Sequence, residues 1–304
     1  MSKFNKLPMK KVLRFATLGI SLLFIGCAST PPASESEKSK FATFGANKIH
    51  YVVEGNGRHT IVFIHGWSCN AGFWREQTPV LAGRARLILI DLPGHGQSDK
   101  PQTNYTMDYF ASAVLAVMRD ARVDKATLVG HSMGTPIICR VYAQAPEKVA
   151  ALVAVDGLLR RPKMSHEQTE QFIGAYRTPE YREHATRFVN SMFPNSGTEA
   201  LRDRVRDEIL MTPQHVMRSA MEGMFASDQP AWDLRKVNVP VLAINAKSPM
   251  WTAEYEAYVR SLSAKTDYRV IDGPGHFLML EKPAEFNAAL LEMLEKFNLI
   301  ALKQ

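Results

Sequence analysis

The pentapeptide Gly130-His131-Ser132-Met133-Gly134 holds a serine between flanking glycines, directly after the apolar run ATLV and ahead of a helix-forming stretch. Strand, G-x-S-x-G turn and helix in that order make a sharp bend that lifts the serine hydroxyl above a sheet, and the small residues let neighbouring backbone approach it. A serine hydroxyl is a weak nucleophile at its own pKa and needs an imidazole to take its proton. Of the nine histidines, His276 is best placed: it stands in DGPGHFLMLEKP, just after a run that reads as a strand, with Gly273 and Gly275 able to turn the loop inward. His65, His95 and His131 read as packing residues of glycine-rich turns, because none follows an acid in the order serine, acid, histidine that accompanies this turn. The chemistry these residues suit is attack on an acyl carbon by Ser132, with His276 as base.

Other chemistries lack their residues. No H-E-x-x-H or clustered His/Cys spacing suggests a metal, and neither a G-x-G-x-x-G nor a G-x-x-x-x-G-K-[ST] run suggests a nucleotide, so no cofactor is expected. The formal charge of +7 is concentrated at one end: Lys3, Lys6, Lys10, Lys11 and Arg14 lie in the first 26 residues, which hold no Asp or Glu, and the rest of the chain carries +2. That residue of charge, with no arginine stripe, gives no reason to expect nucleic acid.

The elements that must position Ser132 and His276 follow from patterning. The 304 residues, 46% hydrophobic and 22% charged, suffice for one large core. From Phe41 short apolar runs alternate with amphipathic stretches, the signature of a mostly parallel sheet covered by helices. FATFG and KIHYVVEG, separated at Ala46-Asn47, read as a hairpin on one sheet edge. Unbroken apolar runs at 60–66, 86–94, 126–131 and 149–157 suit strands buried on both faces, with helices expected at 107–121 and 135–145. Strands resume at 239–246 and 267–273, with helices at 253–262 and from Pro283, a residue suited to a first helical turn. Between 158 and 236 no buried strand appears, and an insertion of that length should be helical rather than a structureless loop. The organisation expected is therefore a core of 41–157 and 237–304 with a helical cap at 158–236. Met211, Met217, Met221, Met224, Phe225 and Trp232 would either line an apolar pocket there or form the cap's own core.

The N-terminus follows a different logic. A basic start, the apolar run 12–25 and then Gly26-Cys27-Ala28 have the layout of a secretory signal peptide, too short for a stable spanning helix. The segment FIGC resembles a bacterial lipobox, with Phe24 where leucine is commonest, which implies lipid attachment at Cys27 after removal of residues 1–26. Ala28 in place of an acid after the cysteine implies, by the same resemblance, an outer-membrane anchor facing the periplasm. A plain signal peptide with an incidental cysteine is the alternative. Residues 27–40, small, polar and charged, suit a flexible tether. Cys69 and Cys139 read as small buried hydrophobes rather than a bridge.

Taken in order, HGW at 65–67, DLPGHGQSD at 91–99, GHSMG at 130–134 and GPGHF at 273–277 resemble the α/β-hydrolase fold family, in its branch with a helical cap, from Phe41 to the C-terminus. The resemblance implies an eight-stranded, mostly parallel sheet and a cofactor-free serine hydrolase. It also implies an oxyanion hole made by the backbone N–H of Met133 and of Trp67, whose donors act on charge that appears only in the tetrahedral intermediate and are each worth about 3 to 4 kcal/mol of barrier. Trp67, Phe73 and Trp74 would shape an acyl pocket, with packing an equally good account of Phe73 and Trp74. The chain departs from most of the family in one place: the loop after VLAIN reads AKSPMW and has no carboxylate. A subset of the family carries the acid one strand earlier, which here is Asp156 in AVDGLL; Glu254, or no acid at all, are the other possibilities. Asp nucleophiles of the kind used by haloalkane dehalogenases and epoxide hydrolases do not match, since position 132 is serine. From another class altogether, a silent ligand-binding lipoprotein would keep the fold and dispense with the acid.

Overall fold

The computed structural model describes residues 38–225 and 232–300, so the signal segment, Cys27 and most of the expected tether lie outside the described residues. Eight strands form one sheet: β1 (Ser39–Phe44), β2 (Asn47–Glu54), β3 (Thr60–Ile64), β4 (Arg86–Ile90), β5 (Ala126–His131), β6 (Val149–Val155), β7 (Val241–Ala246) and β8 (Thr266–Ile271). Their order is β1-β2-β4-β3-β5-β6-β7-β8, antiparallel where β2 meets β1 and β4 and parallel elsewhere. Every residue of β3, β5 and β7 is buried, as a parallel sheet covered on both faces requires. This is the α/β-hydrolase architecture that the motif order implied.

Several of the apolar runs end as strands a few residues short of the turns that follow them, and two boundaries at the sheet edge also differ from the sequence reading. The edge hairpin turns at Gly45-Ala46, with Phe44 paired to Asn47, one residue earlier than expected, because Gly45 takes the positive φ of 60° that such a turn needs. The strand β1 begins at Ser39, inside the segment expected to be a tether. Lys38 already pairs with Glu54 at 3.0 Å, and the Ser39 hydroxyl lies 2.9 Å from Nε2 of His50.

The helices, in chain order, are α1 (Thr78–Leu81), α2 (Met107–Asp120), α3 (Gly134–Gln144), α4 (His166–Ile173), α5 (Tyr181–Ser191), α6 (Glu199–Ile209), α7 (Gln214–Phe225), α8 (Ala253–Ser261), α9 (Leu278–Glu281) and α10 (Pro283–Lys296). Helix α4 starts on a reciprocal capping box between Ser165 and Gln168. Four of them, α4 to α7, lie between β6 and β7. In α7 the buried Met217, Ala220, Met221 and Met224 recur at the three- and four-residue spacing of one helix face. The described residues of core and insertion belong to one compact unit. Among the described residues no helix is long and apolar enough to cross a membrane.

Strand order sets where a site can form. From β3 the chain moves to β4 on one side, and it then returns to β5 on the other, so the loops at the C-terminal ends of β3 and β5 diverge and leave a crevice. The register then aligns what faces it: Ile64 pairs with Gly130, His131 with Val155, and Val155 with Ile244. Ser132 and Asp156, each one residue beyond a paired strand end, therefore sit at one level on the same rim.

Candidate active site

Ser132 follows β5 with φ of 52°, in the left-handed region that non-glycine residues rarely adopt. The bend is anchored by its own N–H, which donates to the Val155 carbonyl at 2.9 Å, and by Thr135 N–H donating back to the Ser132 carbonyl at 2.9 Å. Both flanking glycines are required by close approach. A Cβ on Gly130 would lie 2.3 Å from the Gly134 carbonyl oxygen, and one on Gly134 would lie 2.4 Å from that of Ile64. Strain of this kind concentrates at functional sites, where the surrounding structure holds it in place.

Asp156 repeats the device on the next strand, with φ of 43° and its N–H donating to the Ile244 carbonyl at 2.9 Å. Its Oδ1 accepts the Ala246 N–H at 2.8 Å, and its Oδ2 lies 2.6 Å from Nδ1 of His276. The carboxylate thus bridges the end of β7, whose following loop has no acid, to an imidazole 120 residues away in sequence. Asp156 is 5% exposed and His276 17%, so the pair is largely shielded from water on the acid side while the ring reaches open space. Glu254 takes no part: it is exposed and pairs with Arg160 at 2.9 Å.

The loop bearing His276 is held from three directions. Gly273 supplies a positive φ of 102°, whereas Gly275 is needed for space, since a Cβ there would come within 2.2 Å of the Met192 carbonyl oxygen. His276 N–H donates to that same carbonyl at 3.1 Å, and Asn195 donates its side-chain amide to the Gly273 carbonyl. Both oxygens of Glu281 accept the Gly275 N–H at 3.0 Å. Burial pushes the Glu281 carboxyl above its ordinary range, and the neighbouring Asp156 adds to this against the pull of the Gly275 and Phe277 amides and of His276. The sequence reading missed Glu281 and Met192. A carboxylate five residues after His276 was the available signal for the first, and nothing local signals a backbone carbonyl of the insertion.

The other histidines of the motifs hold backbone, as expected. His65 donates from Nδ1 to the Gly66 carbonyl at 2.8 Å and accepts the Leu92 N–H on Nε2 at 3.0 Å. His95 donates to the Pro93 carbonyl at 2.8 Å, and its burial, with His65 nearby, brings its pKa down to about 3. His131 donates to the carbonyl of His276 at 2.9 Å, and its ring centroid lies 4.8 Å from that of His276. Burial, then His276 itself, drives the His131 pKa well below the usual range, so a neutral ring stands beside His276. Away from the crevice, the buried pair His50–Asp91, 2.8 Å apart, was not anticipated. Burial alone would raise the Asp91 carboxyl, but hydrogen bonds from His50, Gln97 N–H and Ala71 N–H hold it below its ordinary range. None of Ser39, His50 and Asp91 lines the cavity over Ser132.

That cavity, of about 590 Å³, brings together Ser132, Asp156, His276, His131 and Trp67. Phe188, Met192, Met221, Met224, Phe225 and Trp232 of the 158–236 segment form an apolar wall, and the acid-free stretch from Ala246 to Trp251 lines it too. Met211 and Met217 do not line it: Met211 is 81% exposed, and Met217 is fully buried. Phe73 and Trp74 do not line it either. Both are buried, with Trp74 packed on Phe63 and Phe73 on Phe277, so they are core residues. Trp67 lies on the loop after β3, beside Gly66, where a Cβ would fall 3.2 Å from Cβ of Ser132. Met133, fully buried, occupies the N-cap position of α3, where backbone N–H groups have no partner within the helix. Cys69 and Cys139 are free and buried. Among the described residues no group of three or more His, Cys, Asp or Glu side chains could hold a metal ion.

Comparison with known proteins agrees with this architecture. The family profile described as alpha/beta hydrolase fold matches residues 59–283. The chain is similar to the dihydrolipoyllysine-residue acetyltransferase component of the acetoin cleaving system of Cupriavidus necator, 25% identical over 283 residues that span 88% of this chain and 73% of that protein. It is also similar to the 2-hydroxy-6-oxo-6-(2'-aminophenyl)hexa-2,4-dienoic acid hydrolase of Metapseudomonas resinovorans, 27% identical over 86% of this chain and 94% of the relative. Among solved structures, an esterase from Exiguobacterium antarcticum shares the fold with a TM-score of 0.75 at 20% identity, covering 84% of this chain and 98% of that one. With the strand order, the turn at Ser132 and a profile match over most of its length, the chain belongs to the alpha/beta hydrolase fold family.

Proposed function

We propose that the protein is a serine hydrolase that cleaves an ester or related acyl bond of a small, partly apolar substrate. The observation that carries this reading is the 2.6 Å contact of the Asp156 carboxylate with Nδ1 of His276, on the rim of a cavity that also exposes Ser132. In this reading Ser132 Oγ attacks the acyl carbon while Nε2 of His276 takes its proton. Asp156 holds the ring in the tautomer with hydrogen on Nδ1 and stabilises the imidazolium that forms. The Trp67 and Met133 N–H groups receive the negative charge that develops on the acyl oxygen. The imidazolium then protonates the leaving group, and water resolves the acyl-enzyme by the same steps. The apolar wall from the insertion suits the substrate's apolar part.

A fluorophosphonate probe tests this directly. Mass spectrometry of the intact, folded protein is expected to find one adduct, on Ser132; an unlabelled Ser132 would support the rival of a silent binding protein and remove the enzyme reading. Lactones, amides, carbon–carbon bonds and acyl acceptors other than water are neighbouring chemistries for the same nucleophile and base, and a substrate panel assayed beside the ester separates them.

We also propose export and lipidation at Cys27, with the hydrolase held on the outer membrane facing the periplasm. The basic start, the apolar run 12–25 and the FIGC segment support it. Cells grown with an alkynyl palmitate should label the wild-type chain and leave Cys27→Ala unlabelled and unprocessed. Equal labelling of the two would exclude Cys27 as the attachment site.

A further inference from the structure

The turn that carries Trp67 is closed by Cys69 N–H donating to the Gly66 carbonyl at 3.2 Å, and its third residue, Ser68, has φ of 56°. That is the turn position at which a positive φ is normally given to glycine. Ser68 is 1% exposed, and its hydroxyl has no hydrogen-bond partner among the described residues, so its own side chain does not hold this conformation. Within the turn the Cys69 thiol lies 3.5 Å from the Trp67 carbonyl, and the other partners come from the insertion. Thr212 donates its hydroxyl to the Ser68 carbonyl at 3.3 Å, the Trp67 indole Nε1–H donates to the Met217 carbonyl at 2.9 Å, and Asn70 donates its amide to Glu208 at 3.2 Å. The Trp67 ring also packs edge-on against Tyr176 and Phe188, both residues of the insertion, with centroids 5.2 and 5.9 Å away.

We infer that the Trp67 side chain is a positioning residue: by hydrogen-bonding to the Met217 carbonyl of α7, with Thr212 supporting Ser68, it locks the strained 66–69 turn so that the Trp67 peptide N–H meets the acyl oxygen. The inference rests on the proposed Ser132 chemistry and adds to it a structural role for the insertion. The segment that walls the substrate also completes the oxyanion hole, so that loosening it slows acylation without weakening ground-state binding. Because the turn strains toward relaxation, removing the indole N–H lets the peptide rotate, and the donor is lost at the moment that charge develops.

Trp67→Phe keeps an aromatic wall and removes the N–H, and Thr212→Val removes only a hydroxyl. Each variant is compared with wild type in three measurements: the second-order rate of fluorophosphonate labelling at Ser132, kcat and KM on a short p-nitrophenyl ester, and thermal melting. For Trp67→Phe, labelling rate and kcat are expected to fall about tenfold or more, toward the hundredfold that a misplacement of about 1 Å costs, with KM within about twofold. Thr212→Val should move the same two quantities in the same direction by less. A wild-type labelling rate and kcat in Trp67→Phe, or a raised KM with unchanged kcat, overturns the inference, because the side chain is then only substrate wall or packing. Should Trp67→Phe fail to fold, Thr212→Val decides alone, and wild-type rates in it overturn the inference equally. A wild-type protein that does not label at Ser132 overturns the proposed function and this inference together, whereas labelled wild type with unaffected variants overturns the inference alone.

Discussion

Ser132→Ala is expected to lower the turnover of a short p-nitrophenyl ester by up to about a millionfold, the scale seen when a serine nucleophile is removed from an intact triad. Folding should survive, because the bend is held by backbone bonds to Val155 and from Thr135 and by the glycine contacts, not by the hydroxyl. Circular dichroism and melting therefore check that the loss is chemical. What remains would be the oxyanion donors and substrate binding, which alone leave a residual acceleration of about a thousand- to ten-thousandfold over water. Turnover within tenfold of wild type would place the nucleophile elsewhere and dismiss the mechanism proposed above.

Asp156→Asn should cost about four orders of magnitude in kcat, by the reasoning that applies to the orienting acid of a serine triad. The side chain is nearly the same size, so packing is preserved, but its two ends face different demands. One must accept the Ala246 N–H at 2.8 Å and the other must accept the proton on Nδ1 of His276 at 2.6 Å. An amide offers one acceptor and one donor. If its oxygen keeps Ala246, its NH₂ faces Nδ1 and selects the imidazole tautomer with hydrogen on Nε2, which cannot accept a proton from serine. If the amide flips, the Ala246 N–H loses its acceptor and the end of β7 is left with a buried, unpaired donor, at a cost of about 1 to 3 kcal/mol in stability. Kinetics and melting together tell the two apart. Glu254→Gln, which touches only the exposed pair with Arg160, should leave the rate unchanged. A near-wild-type rate in Asp156→Asn would exclude this carboxylate as the orienting group.

Much of this was legible one residue at a time. The alternation of buried strands and amphipathic helices, the turn at Ser132 and the histidine after the last strand are local patterns, because a covered parallel sheet demands unbroken apolar runs and a tight strand-to-helix bend demands small residues. The helices between His166 and Phe225 were readable as a class for the complementary reason, that no run there could serve as a buried strand. Even the missing acid showed, as AKSPMW where a carboxylate was awaited.

Other assignments depend on what meets across the fold. Asp156 and Glu254 are both carboxylates near strand ends, and only the pairing of Val155 with Ile244 and the bond to Ala246 put one beside His276 while Arg160 holds the other at the surface. Phe73, Trp74 and Trp67 sit close together in sequence, yet two are core and one faces the cavity, since a β-turn at 66–69 followed by one short helical turn sends them different ways. Met217 and Met221 lie on one face of a single helix, but only Met221 reaches the cavity. The sequence by itself determined the order of the strands, the main helices between them and the turn and loop that carry Ser132 and His276, because periodicity and turn chemistry act within a few residues. Which carboxylate lies against His276, which aromatic lines the cavity and which carbonyls of the insertion hold its loops were decided only by tertiary structure, because those contacts join groups up to 150 residues apart whose distances no local pattern encodes.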